Sequence, residues 1–175
     1  MRPLFKGIII ALIHLCIVSS LGAKLLYDRT VRPRVWALAA PFDPNLPIRG
    51  RYVSLQLVVE PRGIQKTAPG PGWVPPQSAV LTVENSRLVA VAAPKKAEYD
   101  PEGTHVRFVH RQDRDLTVLE QPVAFFIPEH VPDPSRRQAG EELWVEVTIP
   151  RKGPPRPIRL GVKKEDGPIV PLDLR

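Results

Sequence analysis

Proline constrains the fold of this chain more than any other residue type does. The 175 residues include 22 prolines, which stand between apolar runs and do not form repeats. Proline fixes its own φ angle and lacks the backbone N–H that interior helix and sheet positions use. Beyond Pro33, almost no segment between prolines has helical periodicity. The pattern therefore predicts a folded body of short strands and turns.

Several of these segments alternate apolar and polar residues with a period of two, which is typical of half-buried strands. In the clearest one, the residues expected to face the core are Val53, Leu55, Leu57 and Val59, and those expected to face solvent are Tyr52, Ser54 and Gln56. Asn85-Ser86 and Asp166-Gly167 each separate two such runs and predict hairpins. Eight or nine strands of this kind predict an all-β fold, a small antiparallel sandwich or barrel-like body; the pattern does not choose between them.

An uncharged apolar run precedes this body. It extends from Gly7 to Ala23, and Leu25 to Tyr27 lengthen it if the Lys24 side chain snorkels towards the membrane surface. About 21 helical residues, at ~1.5 Å each, suffice to cross a bilayer core of about 30 Å. We predict one N-terminal transmembrane helix that contacts membrane lipid through residues 7–27. A cleaved signal peptide is the alternative, but Leu21 occupies a position of the cleavage site where a small residue is preferred.

The positive charge of the chain is concentrated around this run. The net charge is +7, of which residues 1–34 carry +5 and the remaining 141 residues only +2. A nucleic-acid-binding body would carry the basic footprint itself, so this distribution favours anionic lipid headgroups and argues against nucleic acid as a partner. Basic residues flank the run on both sides. A signal-anchor followed by a long translocated domain favours a body outside the cytoplasm.

The domain organisation follows from these features. We predict a transmembrane anchor over residues 1–27, a Pro-rich stem over 28–49, and an antiparallel β domain over 50–175 with a Pro/Gly loop at 63–78. Trp73 lies in the middle of that loop. An aromatic side chain on a loop is either a contact residue or a lid folded over the core edge.

Two short stretches resemble a known family. Gly50, Tyr52 and Leu55 match the signature of the GDYXXLXY family of bacterial membrane-anchored proteins, with Arg51 where that family has Asp and Leu57 where it has a second Tyr. The stretch from Phe126 to Glu129, with its Pro128-Glu129 pair, is similar to the second recurrent stretch of the family. The layout of anchor, stem and small β-rich body also agrees.

The resemblance implies a location and a kind of partner. Members of this family are anchored by one N-terminal span and are often found beside polytopic membrane proteins. It supplies no catalytic residue. It suggests a structural role for Gly50, Tyr52, Leu55, Pro128 and Glu129. Gly50 suits the point where a stem turns into a sheet, and Tyr52 combines a packing ring with a polar hydroxyl.

The residues that could carry chemistry are few. Cys16 is the single cysteine and lies inside the apolar run, so neither an intramolecular disulfide nor a cysteine-based zinc site is predicted. His105 and His110 are five residues apart, so in one strand they face opposite sides. Ser19 or Ser20 with Lys24 would be needed for a serine–lysine hydrolase, and they lie on the anchor. We predict no enzyme activity, no catalytic residue, no metal site and no cofactor.

Together these features predict a function without assigning a reaction. We expect a single-pass protein of the bacterial inner membrane, with its body periplasmic or extracytoplasmic, that has a non-catalytic accessory or protein-interaction role at the cell envelope. The expected partner is another membrane or envelope protein, and the candidate binding residues are Arg51, Tyr52 and Trp73. An envelope ligand-binding module is the alternative, followed by a membrane-bound hydrolase.

Overall fold

The computed structural model describes residues 3–41, 52–65, 75–93, 103–111, 114–135, 137–150 and 153–174. The chain divides into two compact units, Met1–Arg32 and Pro33–Arg175. The first is a helix and the second is the β body.

The first unit contains the helix α1, which spans Pro3–Val31. It extends beyond the predicted anchor end at Tyr27 and ends before Pro33, where the missing N–H stops helical bonding. By length and composition, Phe5–Val31 is the one helix in the described residues that could cross a membrane, and its apolar side chains are exposed in the structure. The imidazole Nδ1 of His14 lies 2.8 Å from the Ile10 carbonyl oxygen. This bond within the helix satisfies the polar ring of His14, so the presence of a histidine here does not require a functional site.

The second unit is built from short strands, which confirms the predicted all-β class. In the described residues they are β1 (Arg34–Pro41), β2 (Tyr52–Leu57), β3 (Glu60–Arg62), β4 (Gln77–Glu84), β5 (Arg87–Ala92), β6 (Thr104–Arg111), β7 (Arg114–Leu119), β8 (Val123–Phe126), β9 (Glu141–Thr148), β10 (Arg156–Lys164) and β11 (Val170–Pro171).

The strands form two curled sheets, a half-barrel and a nearly closed barrel. One sheet has six strands in the order β11-β10-β9-β1-β2-β8, and the other has five in the order β3-β5-β4-β6-β7. The pairings are antiparallel, as predicted, with one exception in the described residues: β3 runs parallel to β5. Both sheets contribute to one apolar core, whose fully buried members include Leu55, Leu57, Val106, Val145 and Leu160.

Part of the predicted stem is a strand of the body. β1 pairs with β9 along one side and with β2 along the other, so it lies in the interior of the six-stranded sheet. Val35, Ala37 and Ala39 face the core and are each less than 5% exposed. Alanine carries a weak hydrophobic signal, so the period-two pattern in this segment is faint in the sequence although the packing is tight. The later part of the predicted stem, residues 42–49, lies outside the described residues.

Strand β2 differs from the predicted half-buried strand, because both of its faces are covered. Gln56 was expected to face solvent and is fully buried, and Ser54 is 9% exposed. The reason lies just beyond the strand, where the chain passes from one sheet to the other. The Val58 amide donates to the Leu38 carbonyl in the first sheet, and the next amide, of Val59, donates to the Thr117 carbonyl in the second, each at 2.9 Å.

Both predicted hairpins are present. Asn85 and Ser86 connect β4 to β5 with φ angles of 48° and 61°, the left-handed values that a two-residue type I′ turn requires. Around Asp166-Gly167 the chain returns from β10 to β11 through a wider loop, closed by a 2.8 Å bond from the Gly167 amide to the Lys164 carbonyl.

Candidate interaction surface

Strands β2 and β8 are antiparallel neighbours and bring together the two stretches that carry the family resemblance. Tyr52 lies opposite Phe126, and Leu55 lies opposite Val123. β8 is the terminal strand of its sheet and also approaches β10, so the sheet curls at this edge. Residues 68 to 74 positions apart in the sequence thereby form one continuous surface.

Tyr52 and Phe126 form an aromatic pair at this edge. Their ring centroids are 6.2 Å apart and the rings are inclined by 54°, within the range of favourable edge-on contacts. Tyr52 is half-buried, whereas Phe126 is 75% exposed. The exposed Ala124 lies on the same face of β8, because alternate residues of a strand share a face. We call Tyr52, Ala124 and Phe126 the aromatic edge.

The other residues of the resemblance have different environments. Leu55 is fully buried in the core. Ile127 is 7% exposed and closes the core just after β8, while Pro128 and Glu129 follow it on the surface. The Pro128 carbonyl accepts a bond of 3.2 Å from the Val131 amide, which turns the chain away from the sheet. Pro128 and Glu129 therefore lie just after the end of β8.

Three predicted site residues, Gly50, Arg51 and Trp73, lie outside the described residues. Of the predicted binding set Arg51, Tyr52 and Trp73, the structure therefore places Tyr52 alone. The role of the loop around Trp73 stays a prediction.

A second surface combines aromatic and charged side chains on β1, β9 and β10. Trp36, Glu146 and Arg159 are aligned across the three strands. The Arg159 Nε donates to the Glu146 carboxylate at 2.7 Å, and the guanidinium lies 5.4 Å from the Trp36 ring centroid. Arg159 is thus held by both a carboxylate and a ring. The charge of Arg159 is therefore satisfied by contacts within the protein. These contacts stabilise the outer face of the sheet.

The histidines of the β body, His105, His110 and His130, have different environments. His110 and Asp115 form an exposed pair across the β6–β7 hairpin, with Nδ1 and Oδ1 2.9 Å apart. His105 is buried in β6 and His130 is exposed. Within the ranges that the structure describes, no three His, Cys, Asp or Glu side chains are grouped as metal ligands would be. What the aromatic edge offers chemically is apolar contact area.

The cavities at the surface of the body include two that described residues line. One, of about 300 Å³, lies between the start of β6 and the end of β7 and is lined in part by His105, Glu120 and Pro155. The other, of about 410 Å³, lies beside the β10–β11 hairpin and has a largely apolar lining.

Sequence reasoning missed two of these features. Phe126 was noted as part of a motif, but its exposure depends on β8 being a sheet edge, which strand order alone decides. The apolar cavity depends on segments near residues 137 and 168 approaching each other. No local pattern predicts that approach.

No protein-family model, curated protein or solved structure matches this chain. The resemblance to the GDYXXLXY family consequently stays a prediction that rests on its two motifs and on the layout of the chain.

Proposed function

We propose that this protein is a single-pass accessory protein of the bacterial inner membrane whose β body has no catalytic role and binds another membrane or envelope protein. The body is proposed to lie in the periplasm or otherwise outside the cytoplasm. The family resemblance, the basic flanks of the helix and the long domain that follows it support this placement.

The observation that carries the proposal is the exposure of the aromatic edge. Phe126 leaves 75% of its surface in water beside the ring of Tyr52. A phenyl side chain of ~200 Å², three-quarters exposed, gains about 4 kcal/mol when it is fully covered, before the costs of association. Aromatic residues are enriched at the centres of protein interfaces. The aromatic edge is therefore the proposed contact.

The apolar helix supports the choice of partner. Phe5–Val31 is long enough to hold the chain in a bilayer, and the β body begins at Pro33, two residues after the helix ends. A body tethered so closely meets membrane-embedded proteins at a high effective concentration, and a modest contact surface then suffices for binding.

Photo-crosslinking in intact cells tests the proposed contact. Benzoylphenylalanine is placed at Phe126 and, as a matched control, at Val80, which is 56% exposed on the second sheet. The expected result is a discrete adduct with one membrane protein from position 126 and none from position 80. Equal labelling from both positions, or no adduct from position 126, contradicts the proposal.

Topology is tested separately. A reporter that is active only outside the cytoplasm is fused after Arg175 and compared with one that is active only inside. Activity of the cytoplasmic reporter overturns the proposed location, whereas the crosslinking result addresses the contact.

A further inference from the structure

The apolar cavity lies where the turn before β9 meets the β10–β11 hairpin. Its volume is about 410 Å³, within the range of small-molecule sites. Two contacts hold these segments together: the Glu165 amide donates to the Gly140 carbonyl at 3.1 Å, and Lys164 pairs with Glu141 at 2.9 Å. The cavity is therefore bounded by hydrogen-bonded segments.

Most of the exposed lining of the cavity is apolar. Val162 belongs to the core and is 7% exposed. Leu172 packs partly against the core, and Pro168 adds a further apolar wall. Val170 is 59% exposed. An apolar ligand body would cover Val170 and extend towards Val162.

Charged groups also line the cavity. The described lining includes two cations, Arg137 and Lys164, and one carboxylate, Glu141. Lys164 is engaged by Glu141, with its Nζ 2.9 Å from Oε1. The lining thus carries one excess positive charge, which matches a monoanion.

Arg137 contributes a guanidinium group to this lining. Its Nε is buried, and within the described residues it has no hydrogen-bond acceptor. Guanidinium groups bind carboxylates in particular, because their planar geometries match.

We propose that this cavity binds a single-chain amphiphile with a carboxylate head group, of the fatty-acid class. The aliphatic chain lies along Val162, Val170 and Leu172, and the carboxylate accepts a hydrogen bond from Arg137. This site is separate from the aromatic edge and does not depend on the proposed protein partner.

The test uses the full chain in lipid nanodiscs and octanoate labelled with carbon-13 at its carboxyl carbon. Octanoate in the bilayer and octanoate in the cavity differ in the pKa of the carboxyl group, since a bilayer disfavours the anion and a guanidinium favours it. The expected result is a second carbon-13 resonance, absent from empty nanodiscs, that titrates below free octanoate. Octanol should bind at least tenfold more weakly than octanoate.

Variants locate the site. We expect Arg137→Gln to weaken octanoate binding about tenfold or more, the effect of a lost charged hydrogen bond. Val170→Asp should also weaken octanoate binding, because it places a second negative charge at the mouth of the cavity. Two controls should bind like the unmodified protein: Val80→Asp at a similarly exposed valine, and Arg87→Gln, which removes an exposed ion pair with Glu60.

Three outcomes would overturn the inference. The first is a spectrum identical to that of empty nanodiscs. The second is octanol binding as tightly as octanoate, which would leave Arg137 without a role. The third is an equal loss of binding in Val80→Asp and Val170→Asp, which would place the octanoate elsewhere.

Discussion

The side chain of Gln56 joins the two sheets: its Nε2 donates a hydrogen bond of 3.1 Å to the carbonyl oxygen of Leu119. Gln56 belongs to β2 in the six-stranded sheet, and Leu119 ends β7 in the five-stranded sheet. The residue is fully buried, and its Oε1 has no hydrogen-bond partner within the described residues. The bond lies close to the point where the backbone itself crosses between the sheets.

Gln56→Glu should therefore destabilise the body strongly. The substitution keeps the shape of the side chain but removes the donor and places a carboxylate in the core. We expect a loss of about 3 kcal/mol or more at neutral pH, because a buried charge lacks a compensating partner. Thermal unfolding of the full chain in nanodiscs, followed by tryptophan fluorescence, measures it.

The same substitution at Gln77 is the matched control. Its Nε2 also donates to a backbone carbonyl, that of Gln65, at 3.0 Å, but near the surface. We expect Gln77→Glu to change stability by less than about 1 kcal/mol. Similar losses for the two variants would show that burial between the sheets does not determine the cost.

Gly161→Ala tests the packing of Trp36. A Cβ atom at Gly161 would lie 2.8 Å from Ile169 Cγ2 and 2.9 Å from Trp36 Cζ3, closer than such atoms approach. We expect a loss of about 1–3 kcal/mol from overpacking and a shifted tryptophan emission spectrum. Adding Ile169→Ala to this variant removes one of the two obstructing side chains and should recover part of the stability. An additive double mutant would contradict the proposed clash.

Ser86→Gly should stabilise the β4–β5 hairpin. Ser86 has φ 61°, a left-handed conformation that costs a residue with a Cβ about 1–2 kcal/mol. Part of this gain is offset by the greater freedom of glycine in the unfolded chain, so we expect a net gain of about 0.5–1 kcal/mol. Ser78→Gly within β4 is the control and should lower the melting temperature. A lower melting temperature for Ser86→Gly would contradict the prediction.

Much of the fold could be predicted from local pattern, and the reasons for the misses are physical. The Asn85-Ser86 turn and the core-facing positions around Leu55 are encoded by neighbouring residues, so both were predicted correctly. The burial of Gln56 was missed, because a polar residue on the outer face of a strand is buried only when a second sheet covers that face. Strand β1 lies within the predicted stem, because Ala37 and Ala39 carry too little hydrophobic signal to mark this segment as a strand.

The candidate sites were harder to predict than the fold. The motifs drew attention to Tyr52, but its contact with Phe126 requires the order in which strands pair, which no local pattern contains. The cavity beside Arg137 arises from turns that meet across the body, and its apolar residues resemble ordinary core positions in the sequence. A sequence pattern predicts which side chains of a strand face the core. A site, in contrast, forms only when segments that are distant in the sequence approach each other.

The ion pair between Glu141 and Lys164 predicts a pH-dependent term in the stability of the β9–β10 edge. The hydrogen bond from Lys164, together with the charge of Arg137, holds the pKa of Glu141 below its ordinary value. The folded state therefore favours the ionised carboxylate. In the unfolded chain the carboxyl group of Glu141 has a pKa of about 4.3. The stabilising contribution of the ion pair is therefore fully present above that pH and is lost as the pH falls through the folded-state pKa.

Lys164→Met should remove most of this dependence. We expect the melting temperature of the unmodified protein to fall further between pH 6 and pH 3 than that of the variant, and the carbon-13 carboxyl resonance of Glu141 to titrate at higher pH in the variant. Lys163→Met is the control, because the Lys163 ammonium lies 5.9 Å from the Trp144 ring centroid and makes no ion pair with Glu141. An unchanged Glu141 titration in Lys164→Met would contradict the assignment, since it would place the origin of the lowered pKa in groups other than Lys164.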